Sequence, residues 1–184
     1  MRGARRLGVL AAATCAVAAT GAAAAEAPPA DAVRGCGSRG DSNRPQRLPS
    51  PPGVRIGPLV IWPSVRTRVE PTGGTPWRFY AKAPIVLPAR TKVVLAVPAE
   101  AVGAVELQSG RPPDTWVTSV RFEACAESVR AFPGAYRGTV GRYTGFPFGF
   151  RLARRAVCIP LEVWVDGREA PFRRLVPFGR RACP

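Results

Sequence analysis

Covalent chemistry needs side chains that move protons, attack carbon or hold metals, and this chain of 184 residues has few of them. It contains no histidine. That removes Ser-His-Asp triads, Cys-His dyads and histidine-ligated metals. Lys82 and Lys92 are the only lysines, and neither follows a serine by three positions, so the Ser-x-x-Lys pattern is absent too. There is no D-x-D-x-D-G calcium loop, and no glycine-rich phosphate loop set between a strand and a helix. Paired carboxylates remain, because glycoside hydrolysis places one on each side of the bond. The candidates are Glu123 with Glu127, and Glu162 with Asp166. Their plainer reading is a solvated strand face and a turn. We therefore assign no catalytic residue, no metal and no cofactor. The expectation is a non-enzymatic protein, with a carboxylate-dependent hydrolase of an extracellular glycan as the alternative.

The cysteines point to cross-links. Cys36, Cys125, Cys158 and Cys183 are separated by 89, 33 and 25 residues, unlike the close C-x-x-C pairs of zinc sites. Four such cysteines in an exported chain read as two disulfides. Three connectivities exist, and the nested one is favoured: Cys36–Cys183, joining the chain ends, with Cys125–Cys158, joining two strand segments.

Arginine carries the strongest binding signal. The chain has 27 basic and 12 acidic residues, and 25 of the basic ones are arginine. From Arg137 onward, ten arginines face only Glu162, Asp166 and Glu169. Three doublets, Arg154-Arg155, Arg173-Arg174 and Arg180-Arg181, are the candidate anion-binding residues. Guanidinium groups fork onto phosphate and carboxylate oxygens, and a basic surface attracts anions over a distance. The expected partners are anionic cell-wall polymers or lipid headgroups, with a protein partner also open. Nucleic acid is disfavoured by export and by the lack of a binding motif. The bland alternative is that these arginines reflect compositional bias and keep strand faces soluble. A further motif, Arg39-Gly40-Asp41-Ser42, matches an integrin-binding tripeptide and suggests an adhesin as another reading.

The compartment follows from the start of the chain. Arg2, Arg5 and Arg6 precede an uncharged alanine-rich run that ends in Ala23-Ala24-Ala25. This is the pattern of a secretory signal peptide cleaved before Glu26. Alanine is too weakly apolar for a membrane span of ~20 residues. Cys15 lacks the residues a lipidation site needs before it, and Gly8 spoils a twin-arginine reading of Arg5-Arg6. A secreted or envelope-associated protein is expected.

The elements that position these residues are strands. Twenty-one prolines and 19 glycines, spread along the chain, leave no room for long helices. Residues 26–56 are rich in proline, glycine and arginine and read as a flexible leader pinned at Cys36. Beyond it, residues 57–184 alternate apolar and polar side chains in runs at 57–62, 78–87, 91–97, 103–107, 116–124, 136–142, 147–152, 159–165 and 172–178. In the clearest run, Ile159, Leu161, Val163 and Val165 share one face, and Asp166-Gly167 supplies a hairpin turn. Arg174 is the misfit on the returning inward face. The aromatic segment GFPFGF, residues 145–150, reads as core and loop packing. Short strands with turns every ~8–12 residues predict an all-β domain, an immunoglobulin-like antiparallel β-sandwich with two disulfides. The antibody-type Cys…Trp…Cys signature is missing, so the architecture is argued from pattern alone.

The segments GPLVIW, YAKAPIVLPARTKVVLAV, VRFEAC and FGFRLARRAVCIPLEVWVDGR, with the terminal VPFGRRAC, resemble a group of small exported proteins of high-GC Gram-positive bacteria. The likeness covers about residues 57–184. It rests on a strand ending at Cys125, the aromatic-glycine segment Phe146 to Phe150, the Cys158 to Gly167 strand and turn, and Cys183. The resemblance implies an exported, disulfide-linked domain and brings no catalytic residue with it.

Overall fold

The computed structural model describes residues 26–40, 47–66, 68–110, 115–129, 141–180 and 182–184. Within them the chain is all-β and carries two disulfides. The signal-peptide segment 1–25, Asp41 and Ser42 of the RGD motif, Arg181, and most of the strand expected at 136–142 lie outside the described residues.

Three sheets surround one core. The first runs β1 (Ala32–Arg34), β10 (Ser119–Glu123), β7 (Lys92–Ala96), β13 (Val157–Val165) and β14 (Phe172–Phe178). The second runs β11 (Tyr143–Phe146), β6 (Ile85–Pro88), β3 (Leu59–Ile61) and β2 (Val54–Ile56). The third runs β4 (Glu70–Pro71), β5 (Phe79–Lys82), β12 (Gly149–Leu152), β8 (Val105–Gln108) and β9 (Trp116–Val117). Short 3-10 turns at Cys36–Ser38, Pro63–Arg66 and Ala99–Ala101 are the only helical segments among the described residues. All strand pairs are antiparallel except β1 with β10.

GFPFGF explains how the second and third sheets join. Phe146 lies opposite Ile85 in the second sheet, and Gly149 lies opposite Lys82 in the third. Between them the Ala83 amide donates to the Phe148 carbonyl at 3.0 Å, so the register runs on unbroken and sets Pro84 opposite Pro147. Neither proline has an amide hydrogen, so the ladder opens there without stranding a donor, and one long strand pair bends from sheet to sheet. Period two carries Phe146, Phe148 and Phe150 all inward. With Phe122 and Phe178 they form a run of edge-to-face contacts, centroids 5.0 to 5.3 Å apart. Each fully buried phenylalanine contributes roughly 1.5–3 kcal/mol by apolar burial.

Two pieces of the segment read as a leader belong to the sheets. Val54–Ile56 is β2, with Val54 and Ile56 buried. Ala32–Arg34 is β1, and the residues before it lie against the outer face of the first sheet. There the Asp31 carboxylate accepts hydrogen bonds from the Thr118 amide (3.1 Å), the Thr118 hydroxyl (3.0 Å) and the Ser119 amide (2.9 Å). The Ser119 hydroxyl donates to the Pro29 carbonyl, and Ala30 packs on Val94, Ala96 and Trp164.

The disulfides are Cys36–Cys125 and Cys158–Cys183, which corrects the nested pairing. Sheet order is the reason. Parallel pairing of β1 with β10 sets Arg34 beside Phe122 and carries Cys36 alongside Cys125. Strand β7 lies between β10 and β13, so Cys125 and Cys158 are not on neighbouring strands. They also sit at opposite ends. Glu123 is opposite Lys92 and Val165 opposite Val93, so Cys125 lies near the far end of β13, at least seven residues, or roughly 23 Å, from the level of Cys158.

Candidate anion-binding site

The β13–β14 hairpin has two unlike ends, and the basic one gathers residues from three parts of the chain. Val157 pairs with Phe178, so the bend before β13 and the bend after β14 are neighbours. Arg154 and Arg155 lie in the first bend and Arg180 in the second, all exposed. Gly179 is the pivot. Its φ of +60° is one that L side chains rarely adopt, and a Cβ there would come within 2.2 Å of the Arg155 carbonyl oxygen. Its amide donates to the Val65 carbonyl at 3.0 Å. That bond brings in the 3-10 turn Pro63–Arg66, which is anchored by buried Val65 and followed by buried Val69. Arg66 and Arg68 lie between these two buried valines.

Three chain stretches thus adjoin one glycine, and between them they carry five arginines: Arg66, Arg68, Arg154, Arg155 and Arg180. Among the described residues none of them forms an ion pair or a side-chain hydrogen bond. The Arg66 Nε–H is buried with no acceptor. Like charges held close by folding repel one another, and an anion that bridges them relieves the repulsion while accepting their N–H groups. The arrangement can bind phosphate or carboxylate oxygens.

The other predicted arginines are used elsewhere. Arg173 lies opposite Glu162 in the ladder, 3.7 Å from it, and forms an ion pair with Glu100. Arg174 starts on the core side of β14 and runs outward, donating to the Arg55 carbonyl on β2 at 3.2 Å. That is how a charged residue fits an inward position near the sheet edge. The structure therefore brings together Arg154, Arg155 and Arg180, and separates Arg173 and Arg174 from them. Arg66 and Arg68 were not legible as partners, because the packing of the Pro63–Arg66 turn and Val69 against the end of β14 and Gly179 joins residues far apart in the chain.

Three of the four carboxylate candidates are tied to arginines. Arg121 bonds Glu123 at 3.2 Å and Asp166 at 2.8 Å. Glu162 has Arg173. Glu127 lies beyond β10, where its carbonyl accepts from the Gly141 amide. On the outward face of the third sheet, Glu106 is opposite Arg151, whose guanidinium stacks 4.4 Å from the Trp116 ring centroid. Burial pushes the Glu106 carboxyl above its ordinary pKa, against the pull of Arg151. Among the described residues there is no group of three or more His, Cys, Asp or Glu placed to hold a metal ion, and no helix is long and apolar enough to cross a membrane. No protein-family model, curated protein or solved structure matches this chain.

Proposed function

We propose that this protein is an exported, non-enzymatic β-domain that binds phosphate-rich anionic polymers of the cell envelope through Arg66, Arg68, Arg154, Arg155 and Arg180. The observation that carries this reading is the joining at Gly179 of the three chain stretches that carry these five arginines, none of which has an acidic partner among the described residues. Export is supported by the basic, alanine-rich start of the chain and by two disulfides, which persist in oxidising compartments. The likeness to small exported proteins of high-GC Gram-positive bacteria belongs to the same proposal. So does an immunoglobulin-like sandwich, supported by a five-stranded sheet sharing its core with the two sheets joined at Pro84 and Pro147.

The test is binding of the oxidised domain, residues 26–184, to isolated cell walls at low and high salt, with and without the phosphate-rich polymers stripped off. Salt-sensitive binding that disappears with the polymers is expected. It should weaken in the triple variant Arg154→Ala/Arg155→Ala/Arg180→Ala and persist in Arg173→Ala. Binding that survives stripping but needs anionic lipid vesicles would move the partner to headgroups. No binding under any condition would overturn the proposal.

A further inference from the structure

The end of the molecule that carries Arg154 and Arg155 also carries the most exposed large apolar side chain among the described residues. Leu152, the last residue of β12, lies opposite Phe79 in β5 and opposite Val105 in β8. The bend that follows, with Arg154 and Arg155, therefore leaves the third sheet between the β4–β5 hairpin and the turn that enters β8. The Ala153 amide donates to the Ala104 carbonyl at 3.1 Å, so the bend and that turn are in contact. In the same turn Val102 is 59% exposed. It follows buried Ala101 and precedes Gly103, where an added Cβ would meet nothing within 4 Å. This turn stands in solvent.

On the other side of the bend the β4–β5 hairpin presents Trp77. The loop is fixed: the Thr72 amide donates to the Arg78 carbonyl at 2.8 Å, and the Thr72 hydroxyl donates to the Trp77 carbonyl at 2.7 Å. Trp77 is partly exposed. Among the described residues its indole joins neither apolar cluster and stacks on no other ring or guanidinium. A tryptophan contributes mainly through the area it buries, so a ring outside the core is suited to burial against a partner. Charge completes the surface. Arg78, Arg154, Arg155 and Arg180 are all exposed here. The acids on the hairpin and the turn are Glu70 and Glu100, and Glu100 is already paired with Arg173.

We propose that this end seats on the headgroup layer of an anionic lipid bilayer. The arginines meet lipid phosphates, and Val102 and Trp77, one on each side of the basic bend, enter the layer beside them. Tryptophan suits that depth because its ring is apolar and its N–H is polar. Each cation near an anionic membrane strengthens attachment, and the attraction fades within a Debye length. With two apolar side chains the contact is shallow and reversible. A phosphate polymer in water offers no apolar layer to receive them, so this surface goes beyond the polymer reading while sharing Arg154, Arg155 and Arg180 with it.

The test is co-sedimentation of the oxidised protein, residues 26–184, with vesicles of phosphatidylcholine alone and of phosphatidylcholine and phosphatidylglycerol in equal parts. Binding to the anionic vesicles and not to the neutral ones is expected, falling as salt rises. Trp77→Ser/Val102→Ser should weaken it by about tenfold and leave wall binding unchanged, with circular dichroism confirming the fold. The triple arginine variant should weaken both, vesicle binding by about a hundredfold. Lipids with brominated chains should quench the fluorescence of the parent more than that of Trp77→Phe, which reports insertion without the serine variant. No binding to anionic vesicles, equal binding to neutral ones, or equal quenching of parent and Trp77→Phe would overturn the proposal and leave the polymer reading standing. So would loss of wall binding in Trp77→Ser/Val102→Ser, which would assign the two side chains to the polymer. Vesicle binding by a protein that ignores cell walls would uphold this proposal and remove the polymer one.

Discussion

Removing either disulfide as a pair of alanines separates the two bridges energetically and tests their connectivity together. Cys36 and Cys125 are 89 residues apart, and Cys158 and Cys183 are 25 apart. In the chain-entropy model, closing loops of these lengths in the unfolded chain stabilises the native state by about 4.6 and about 3.5 kcal/mol. Cys36→Ala/Cys125→Ala should therefore be the more damaging change. It also releases β1 and the segment bound through Asp31, which adds local loss to the entropic one. With a urea m-value of about 2 kcal/mol/M, the midpoints should fall by about 2.3 M and about 1.7 M. Urea unfolding without reductant, followed by fluorescence, measures both. A thiol assay on the unfolded variants decides the pairing. With the bridges as described, each double variant of residues 26–184, which lack Cys15, retains one intact bridge and titrates no free thiol. With the nested pairing, each would strip one cysteine from both bridges and leave two free thiols. Two free thiols, or a smaller loss from Cys36→Ala/Cys125→Ala than from Cys158→Ala/Cys183→Ala, would refute the reasoning.

Two further outcomes follow from single residues. Gly179→Ala should cost about 2 kcal/mol or more, because alanine is strained at positive φ and its Cβ meets the Arg155 carbonyl; circular dichroism melting measures the loss, and wall binding should weaken with it. Asp31 is pulled upward in pKa by burial, but the hydrogen bonds from Ser119 and Thr118 prevail and hold it below its ordinary 3.8. Its contribution is thus present above that value and is lost as pH falls through the lower, folded-state one. Asp31→Asn should cost roughly 1 kcal/mol at pH 7, a figure discounted for solvent exposure, and the difference from the parent should shrink in urea unfolding near pH 2.

The strands that alternate cleanly were legible because each has one buried face. Ile159, Leu161 and Val163 are buried as expected, and Asp166-Gly167 does turn the chain into β14. GFPFGF packs inward for the same reason. What failed depended on neighbours remote in sequence. The run 78–87 is two strands because Pro84 meets Pro147 across the ladder, and no local pattern shows which residue a proline will face. β1 has only three residues, and its order comes from Cys125, Thr118 and Ser119, some 87 to 89 positions away. The disulfide pairing required knowing that β7 lies between β10 and β13. The candidate site was legible in part: Arg154, Arg155 and Arg180 follow from their position at the open end of a recognisable hairpin. Arg66 and Arg68 join them through packing between segments remote in sequence, and one of the ion pairs that withdraw Arg173 depends on Glu100 from a distant turn.

The facing prolines also limit how the chain can change in length. From Phe79 to Pro88 and from Tyr143 to Leu152 the two strands match residue for residue across the bend. One residue inserted in either strand near Pro84 or Pro147 would leave the ladder on one side intact and shift the other by one position. Side chains alternate every residue, so the shift would turn Phe150 and Leu152 outward, or Phe146 and Thr144. A two-residue insertion would preserve facing but part the prolines, leaving amide groups opposite a residue with no hydrogen to return. Length variation among sequences that share this fold should therefore be absent from these two stretches and gather in the bend between β12 and β13, where exposed arginines already occupy the surface.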